Sequence, residues 1–270
     1  MNEIETQRYA ELYERIYGDY LREEVEVHLP LGGDDELLTV IDLGCGTGGQ
    51  LRNVCGRNSN AKSCFIGFDA NEHMISRAKS LSAKYDQKKL FFEVSDFLRL
   101  SLNKMPARCD RNASLVFLCL GNTLALIVPE RLPNLVASLA TVMTQVGARS
   151  ATLFLETRSG KDYSEWINGG RIEQLNYDAN DEHILLSFQA LTSQGNVYTT
   201  RIYSLYKNGT RAEFCFLEEP MAHFVDLEQV KSALGEKFNF SMDEIFDDKG
   251  GTISGLTKGH VFQFKLNLKT

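Results

Sequence analysis

The sequence predicts an α/β fold: a mostly parallel sheet with helices on both faces, plus a set of antiparallel strands. Three observations carry this reading. Short apolar runs alternate with helical periodicity between residues 37 and 156. The first run feeds directly into a glycine-rich turn, Gly44-Cys45-Gly46-Thr47-Gly48. After Arg158 the alternation gives way to apolar runs separated by hairpin signals. Strand-helix alternation with short links requires crossover connections, hence parallel strands covered by helices.

Taken in order, residues 4–28 read as a helix, with Tyr9, Leu12, Tyr13, Ile16 and Tyr17 at helical spacing among charged residues. A turn-rich break follows at Pro30-Leu31-Gly32-Gly33-Asp34-Asp35. The first strand spans 37–43, and a helix starts at 48–55. A second strand at 63–68 precedes a helix over 71–85, whose Met74, Ile75, Ala78 and Leu81 share a face. Strands at 90–94 and 114–120, a helix at 132–146 and a fifth strand at 151–156 complete the alternation. The runs 171–177, 183–192, 196–206 and 211–219 are separated by Gln194-Gly195-Asn196 and Lys207-Asn208-Gly209, which mark hairpins. A helix at 226–234 and strands near 238–246 and 260–266 close the chain.

A chain of 270 residues fits one α/β core. The expected organisation is an N-terminal helical lid over 1–36 and a main domain over 37–270, with the antiparallel insertion at about 168–222. A net charge of −7 without long basic runs disfavours a nucleic-acid partner. No apolar stretch reaches the roughly 18 to 20 residues of a membrane span. The longest, 113–128, is broken by Gly121, Asn122 and Thr123. Met1 to Glu5 lack the features of a secretory signal. The six cysteines form no CxxC pair and no metal-ligand spacing, so no metal is expected. Reduced thiols in a cytoplasmic protein are the expectation.

The chemistry concentrates in Val40-Ile41-Asp42-Leu43-Gly44-Cys45-Gly46-Thr47-Gly48. Glycines at alternate positions let the backbone turn sharply and approach a ligand closely. Gly44-x-Gly46-x-x-Gly49 also satisfies a dinucleotide pattern, so a nicotinamide cofactor stays open. Asp42 weighs against it, because a carboxylate at the strand end repels a pyrophosphate and attracts a cationic ligand. Asp69 ends the second strand 25 positions after Gly44, close to the spacing of a ribose-binding acid. Its two oxygens suit two hydroxyls. The alternative is that Asp69 caps the helix beginning near Asn71. Asp96 and Phe97, just after the third strand, suit an adenine amino group and ring face, with core packing as the alternative for Phe97.

In this order and spacing, these segments resemble the class I S-adenosylmethionine (SAM)-dependent methyltransferases over roughly residues 37–158. Asp42 to Gly48 is similar to their first motif, Asp69 falls on the ribose acid and Asp96 on the adenine-side acid. The resemblance implies a Rossmann-like, mostly parallel seven-stranded sheet with a reversed final strand. It also implies direct in-line methyl transfer from SAM, with S-adenosylhomocysteine (SAH) as product. It places Asp42, Gly44, Cys45, Gly46, Gly48, Asp69, Ala70, Met74, Asp96, Phe97 and Cys119 at the cofactor.

A narrower resemblance is to glycine and sarcosine N-methyltransferases. Phe117-Leu118-Cys119-Leu120-Gly121-Asn122-Thr123-Leu124 is similar to their Cys-Leu-Gly-Asn-Ser-Phe type of segment. Leu155-Glu156-Thr157-Arg158 with Asp162-Tyr163 resembles their strand ending in an arginine, and Tyr17-Gly18-Asp19 resembles a Tyr-Ile-Gly-Asp segment. This implies a small-molecule acceptor, an amine above all, faced by Asn122, Arg158 and Tyr17. Asn122 satisfying its own turn, and Arg158 pairing with Glu156 or Asp162, stay open. His223 is either a pocket base or a packed histidine. The competing functions are a methyltransferase of protein or RNA, a non-catalytic SAM-binding subunit and a nicotinamide oxidoreductase. The Asn/Asp-Pro-Pro-Tyr/Phe motif of amino-group nucleic-acid enzymes is absent after the fourth strand. A homo-oligomer is compatible with the sequence.

Overall fold

A computed structural model describes residues 35–86, 88–100, 110, 112–121, 123–157, 171–178, 181–191, 197–218, 223, 225–246 and 260–269, together with Ala10 and Tyr13. Five strands with near-continuous apolar sequence form its centre: β1 (Leu38–Leu43), β2 (Cys64–Asp69), β3 (Leu90–Val94), β4 (Ser114–Cys119) and β5 (Ser150–Thr157). Such runs suit strands buried on both faces of a parallel sheet. Side chains alternate between two cores. Ile41, Leu43, Ile66, Phe117, Leu153 and Leu155 face one, while Val40, Phe65, Val116, Leu118 and Phe154 face the other.

Helices cover both faces. The first core takes α3 (Leu132–Val146), through Leu135, Leu139 and Val142, and α4 (Leu227–Lys237), through Val230 and Leu234. The second takes α1 (Gly49–Arg57), through Leu51 and Val54, and α2 (Glu72–Leu81), through Ile75 and Ala78. Asn71 starts α2 by accepting from the backbone N–H groups of His73 and Met74. It is therefore Asn71, and not Asp69, whose side chain caps this helix. The helix ends at Leu81, short of the expected Tyr85: Ser82 N–H bonds back to Ala78 and Lys79, and Tyr85 N–H to Ser82. Asp226 opens α4 with a reciprocal capping box to Gln229.

β6 (Arg171–Asp178), β7 (Asp181–Leu191), β8 (Val197–Lys207) and β9 (Thr210–Glu218) form a separate antiparallel sheet in sequence order. Asn208, at φ 49, and Gly209, at φ 75, make the β8–β9 turn. The main sheet has seven strands in the order β10-β11-β5-β4-β1-β2-β3, with β10 (Phe238–Phe246) and β11 (His260–Leu268) added last. Strand β11 runs antiparallel to both β5 and β10, giving the reversed strand that the resemblance implies. Successive strands leave β1 first toward β2 and β3, then return to its other side as β4 and β5. That reversal opens a crevice at the carboxyl ends of β1 and β4, where doubly wound sheets hold their ligands. An open polar groove of about 580 Å³, lined by Ser114, Gly147, Arg149 and Asn267 among others, lies at the amino ends of β4 and β5 instead.

Candidate functional site

Where β1 ends, the backbone reverses through Gly44 (φ +70), Gly46 (φ +53) and Gly48 (φ +78). These are left-handed conformations that side chains resist. Space closes two of the positions as well. A Cβ on Gly44 would stand 2.6 Å from Thr123 Cγ2, and one on Gly48 would strike the Phe92 ring. The turn is pinned to β2, because Gly44 and Cys45 N–H groups donate to Phe68 O at 2.8 and 2.9 Å. Beneath it, the buried Arg52 guanidinium donates to Thr47 O. Above it, the Tyr13 ring lies against Gly46, 3.5 Å from where a Cβ would sit.

Two carboxylates flank this turn. Asp69, half-buried at the end of β2, accepts from Gly46 N–H on Oδ2 at 2.9 Å and from Asn71 N–H on Oδ1 at 2.8 Å. Burial raises its pKa, and these two hydrogen bonds oppose the rise. Asp42 is 2% exposed, and among the described residues its Oδ2 has no hydrogen-bond partner. Burial first, and the Asp69 charge second, push its carboxyl from 3.8 up to about 7. A buried carboxylate oxygen without a donor is costly and is relieved by a cationic group arriving beside it. The chemistry of this set therefore fits a ligand that brings positive charge to Asp42 and hydroxyls to Asp69.

Other residues named from the sequence are placed differently. Asp96 stands beyond β3, where Oδ1 caps the short 3-10 turn Phe97–Arg99 by accepting from Leu98 N–H at 2.9 Å. Its Oδ2 pairs with Arg131 at 3.4 Å across an exposed surface. Phe97 packs partly against the core and Ala70 is exposed. Met74 and Cys119 are buried. Burial pushes the Cys119 thiol far above its ordinary range, with Asp42 and Glu156 adding to the rise. Tyr17, Asn122 and Arg158 lie outside the described residues. His223 is half-buried, and its N–H donates to Ala125 O at 2.7 Å, beside the loop that follows β4.

Two residues at this edge carry contacts that the sequence reading did not assign. Thr123 bridges the two turns, donating to Leu120 O at 2.7 Å and standing 3.4 Å from Gly44 O. Glu156 is 2% exposed, and its Oε2 accepts from Gly121 N–H at 2.7 Å. Its signal was present: Leu153-Phe154-Leu155-Glu156 is an apolar strand ending in an acid, as is the run to Asp42. By strand alternation, Glu156 and Asp42 lie on the same face of the sheet, with β4 between them. Among the described residues, no group of histidine, cysteine, aspartate and glutamate could hold a metal ion. No helix among them is long and apolar enough to cross a membrane.

Residues 34–146 match a family model described as a methyltransferase domain. No curated protein sequence resembles the chain closely enough to count as a relative. Among solved structures, it is similar to a SAM-dependent methyltransferase from Clostridium acetobutylicum ATCC 824, with a TM-score of 0.61 and 13% identity, over 96% of this chain and 98% of that one. DesVI of Streptomyces venezuelae gives 0.56 at 13% identity, over 96% and 92%. A putative methyltransferase in complex with the Trm112 activator, from Haloferax volcanii, gives 0.51 at 13% identity, over 98% and 95%. At this identity the structures speak for the shared fold. Residues 34–146 thus match a methyltransferase-domain model, within a chain whose fold is shared with these structures.

Proposed function

We propose that this chain is a SAM-dependent methyltransferase of a small-molecule amine, with its cofactor held between the glycine-rich turn and Asp69. The observation that carries the cofactor placement is the partnerless, buried Oδ2 of Asp42, beside a turn closed to any side chain at Gly44 and Gly48. Bound there, SAM supplies a methyl group on a sulfonium sulfur that needs no further activation. Asp42 offers its charge to the cationic end of that molecule, and Asp69 offers its remaining lone pairs to the ribose hydroxyls. Gly44, Cys45, Gly46 and Gly48 supply the close backbone surface. Ala70, Met74, Asp96, Phe97 and Cys119 complete the assignment on the adenosine side and beneath it.

An amine acceptor is supported by the second buried carboxylate, Glu156, on the same sheet face, and by the acidic balance of the chain. The likeness to glycine and sarcosine N-methyltransferases belongs here too, with Asn122 and Arg158 holding an acceptor carboxylate and Tyr17 facing the acceptor. Arginine suits that role through its planar fork of donors. In the same proposal, residues 1–36 form a lid over the domain 37–270, and the strands within about 168–222 are an insertion in it. Alignment of the acceptor is then the main task of the protein, worth roughly 7 to 11 kcal/mol in favourable cases.

Calorimetric titration with SAM and SAH, followed by an acceptor screen of glycine, sarcosine and other small amines, tests this reading. Micromolar binding of both ligands is expected, and Asp69→Ala should weaken it by about ten- to a hundredfold in a folded protein. Unchanged binding in that variant would remove the ribose assignment. Turnover on peptides or RNA, with none on amines, would remove the amine acceptor.

A further inference from the structure

The carboxyl ends of β4 and β5 are joined by a closed ring of contacts, and one link in it is the buried carboxyl group of Glu156. Glu156 Oε2 receives Gly121 N–H at 2.7 Å. Gly121, at φ +63, precedes the short 3-10 helix Thr123–Leu126, which contains Ala125. Ala125 O receives His223 N–H at 2.7 Å as the chain returns from the four-stranded sheet. Two residues later Val225 O receives Thr157 Oγ1 at 2.9 Å. Thr157 is the neighbour of Glu156 on β5, so the ring closes through one peptide bond. Thr123, inside the ring, also touches the donor-side turn at Gly44.

We propose that Glu156 is a positioning residue for methyl transfer: through Gly121 it sets the turn after β4, and through the ring it sets the returning segment at His223, so that both walls on the acceptor side are fixed relative to the glycine-rich turn. This rests on the SAM-dependent reading above. A carboxylate is well suited to the task, since a charge-assisted bond to a backbone N–H is shorter and stronger than a neutral one. Its burial at 2% exposure is expensive unless such bonds are made. Glutamine at this position keeps an acceptor oxygen for Gly121, whereas alanine removes it.

The test compares the full-length protein with Glu156→Ala, Glu156→Gln and Thr157→Val, the last opening the ring at its other side chain. Amide hydrogen exchange at Gly121 and His223, read by NMR without any ligand, should be about tenfold faster or more in Glu156→Ala. Glu156→Gln should restore most of the Gly121 protection. The dissociation constant for SAH should stay within about threefold of wild type, because the donor turn is held separately by Phe68 and Asp69. With an amine found in the screen, kcat should fall about a hundredfold in Glu156→Ala and recover largely in Glu156→Gln, with the KM for SAM unchanged. Thr157→Val should speed exchange at His223 and lower kcat in the same sense.

His223 exchange that ignores Glu156→Ala would overturn the ring. SAH affinity falling in step with kcat, or unfolding of both Glu156 variants, would reduce Glu156 to a structural group and overturn the positioning role. A wild-type chain that fails to bind SAH would instead sink the SAM reading and the transfer role with it, while the exchange comparison decides the ring separately.

Discussion

Asp42 and Asp69 end neighbouring parallel strands, yet burial treats them differently. Asp69 receives two backbone N–H groups, while Asp42 has an oxygen without a partner among the described residues and a carboxyl pushed up to about 7. The sign of the consequence follows from linkage. In the folded apo protein Asp42 holds its proton to higher pH than in the unfolded chain, where it ionises near 3.8. The stability it contributes is therefore complete below pH 3.8, falls as pH rises, and is gone above about 7. Asp42→Asn removes this loss. Urea unfolding at pH 5 and pH 8 should show the variant gaining on wild type by on the order of 2 kcal/mol between the two. SAM affinity should move the other way, tightening in wild type as pH rises through about 7 and staying flat in the variant. Both acids were legible from sequence, because an acid ending an apolar strand run beside a glycine-rich turn is a local pattern. The Thr123 bridge was not, since Thr123 and Gly44 meet only through the pairing of β1 with β4.

Element boundaries were readable wherever local chemistry sets them. Strand β3, helix α3 and strand β10 fall where the periodicity puts them, and the β8–β9 turn falls on Asn208-Gly209. The end of α2 was not readable. Nothing in Lys84-Tyr85-Asp86 forbids a helix, and the chain leaves it through overlapping turns at Ser82. The short 3-10 pieces at 97–99, 123–126 and 129–131, among the described residues, were equally hidden, being too short to show a period. Asn71 is the link on which α2 and the acid of β2 both depend: its side chain caps the helix and its N–H holds Asp69. Asn71→Ala should cost about 1 kcal/mol in thermal or urea unfolding, a typical cap loss. The Asp69 bond, made by the backbone, should persist, so SAH affinity should change less than in Asp69→Ala.

At the scale of the molecule, the seven strands and the reversed last one were expected through family resemblance and not through periodicity, while the strand order comes from the structure. Alternation says which face a residue takes, but it is silent on the pairing of β11 with β5, which lie far apart in the chain. The resulting crevice collects groups from β1, β2, β4 and β5 and from the segment at His223. A ligand in it therefore stabilises the folded state as a whole. At a hundred times its dissociation constant, SAH should add about 2.7 kcal/mol to stability. A rise of roughly 5 to 10 °C in Tm is expected from that gain in a chain of this size, measurable by differential scanning calorimetry. No shift with SAH would argue against the crevice as the cofactor site.

The thiols near this crevice face a hazard of their own. A sulfonium donor is an alkylating reagent, and a protein that stores one close to cysteine risks modifying itself. Burial first, then the charges of Asp42 and Asp69, hold the Cys45 thiol well above its ordinary range, and Asp42 and Glu156 add to the same effect at Cys119. Only the thiolate is a competent nucleophile. In the proposed complex, the acids that draw a cation into the crevice would also keep the thiols beside it protonated, leaving the methyl group for the acceptor.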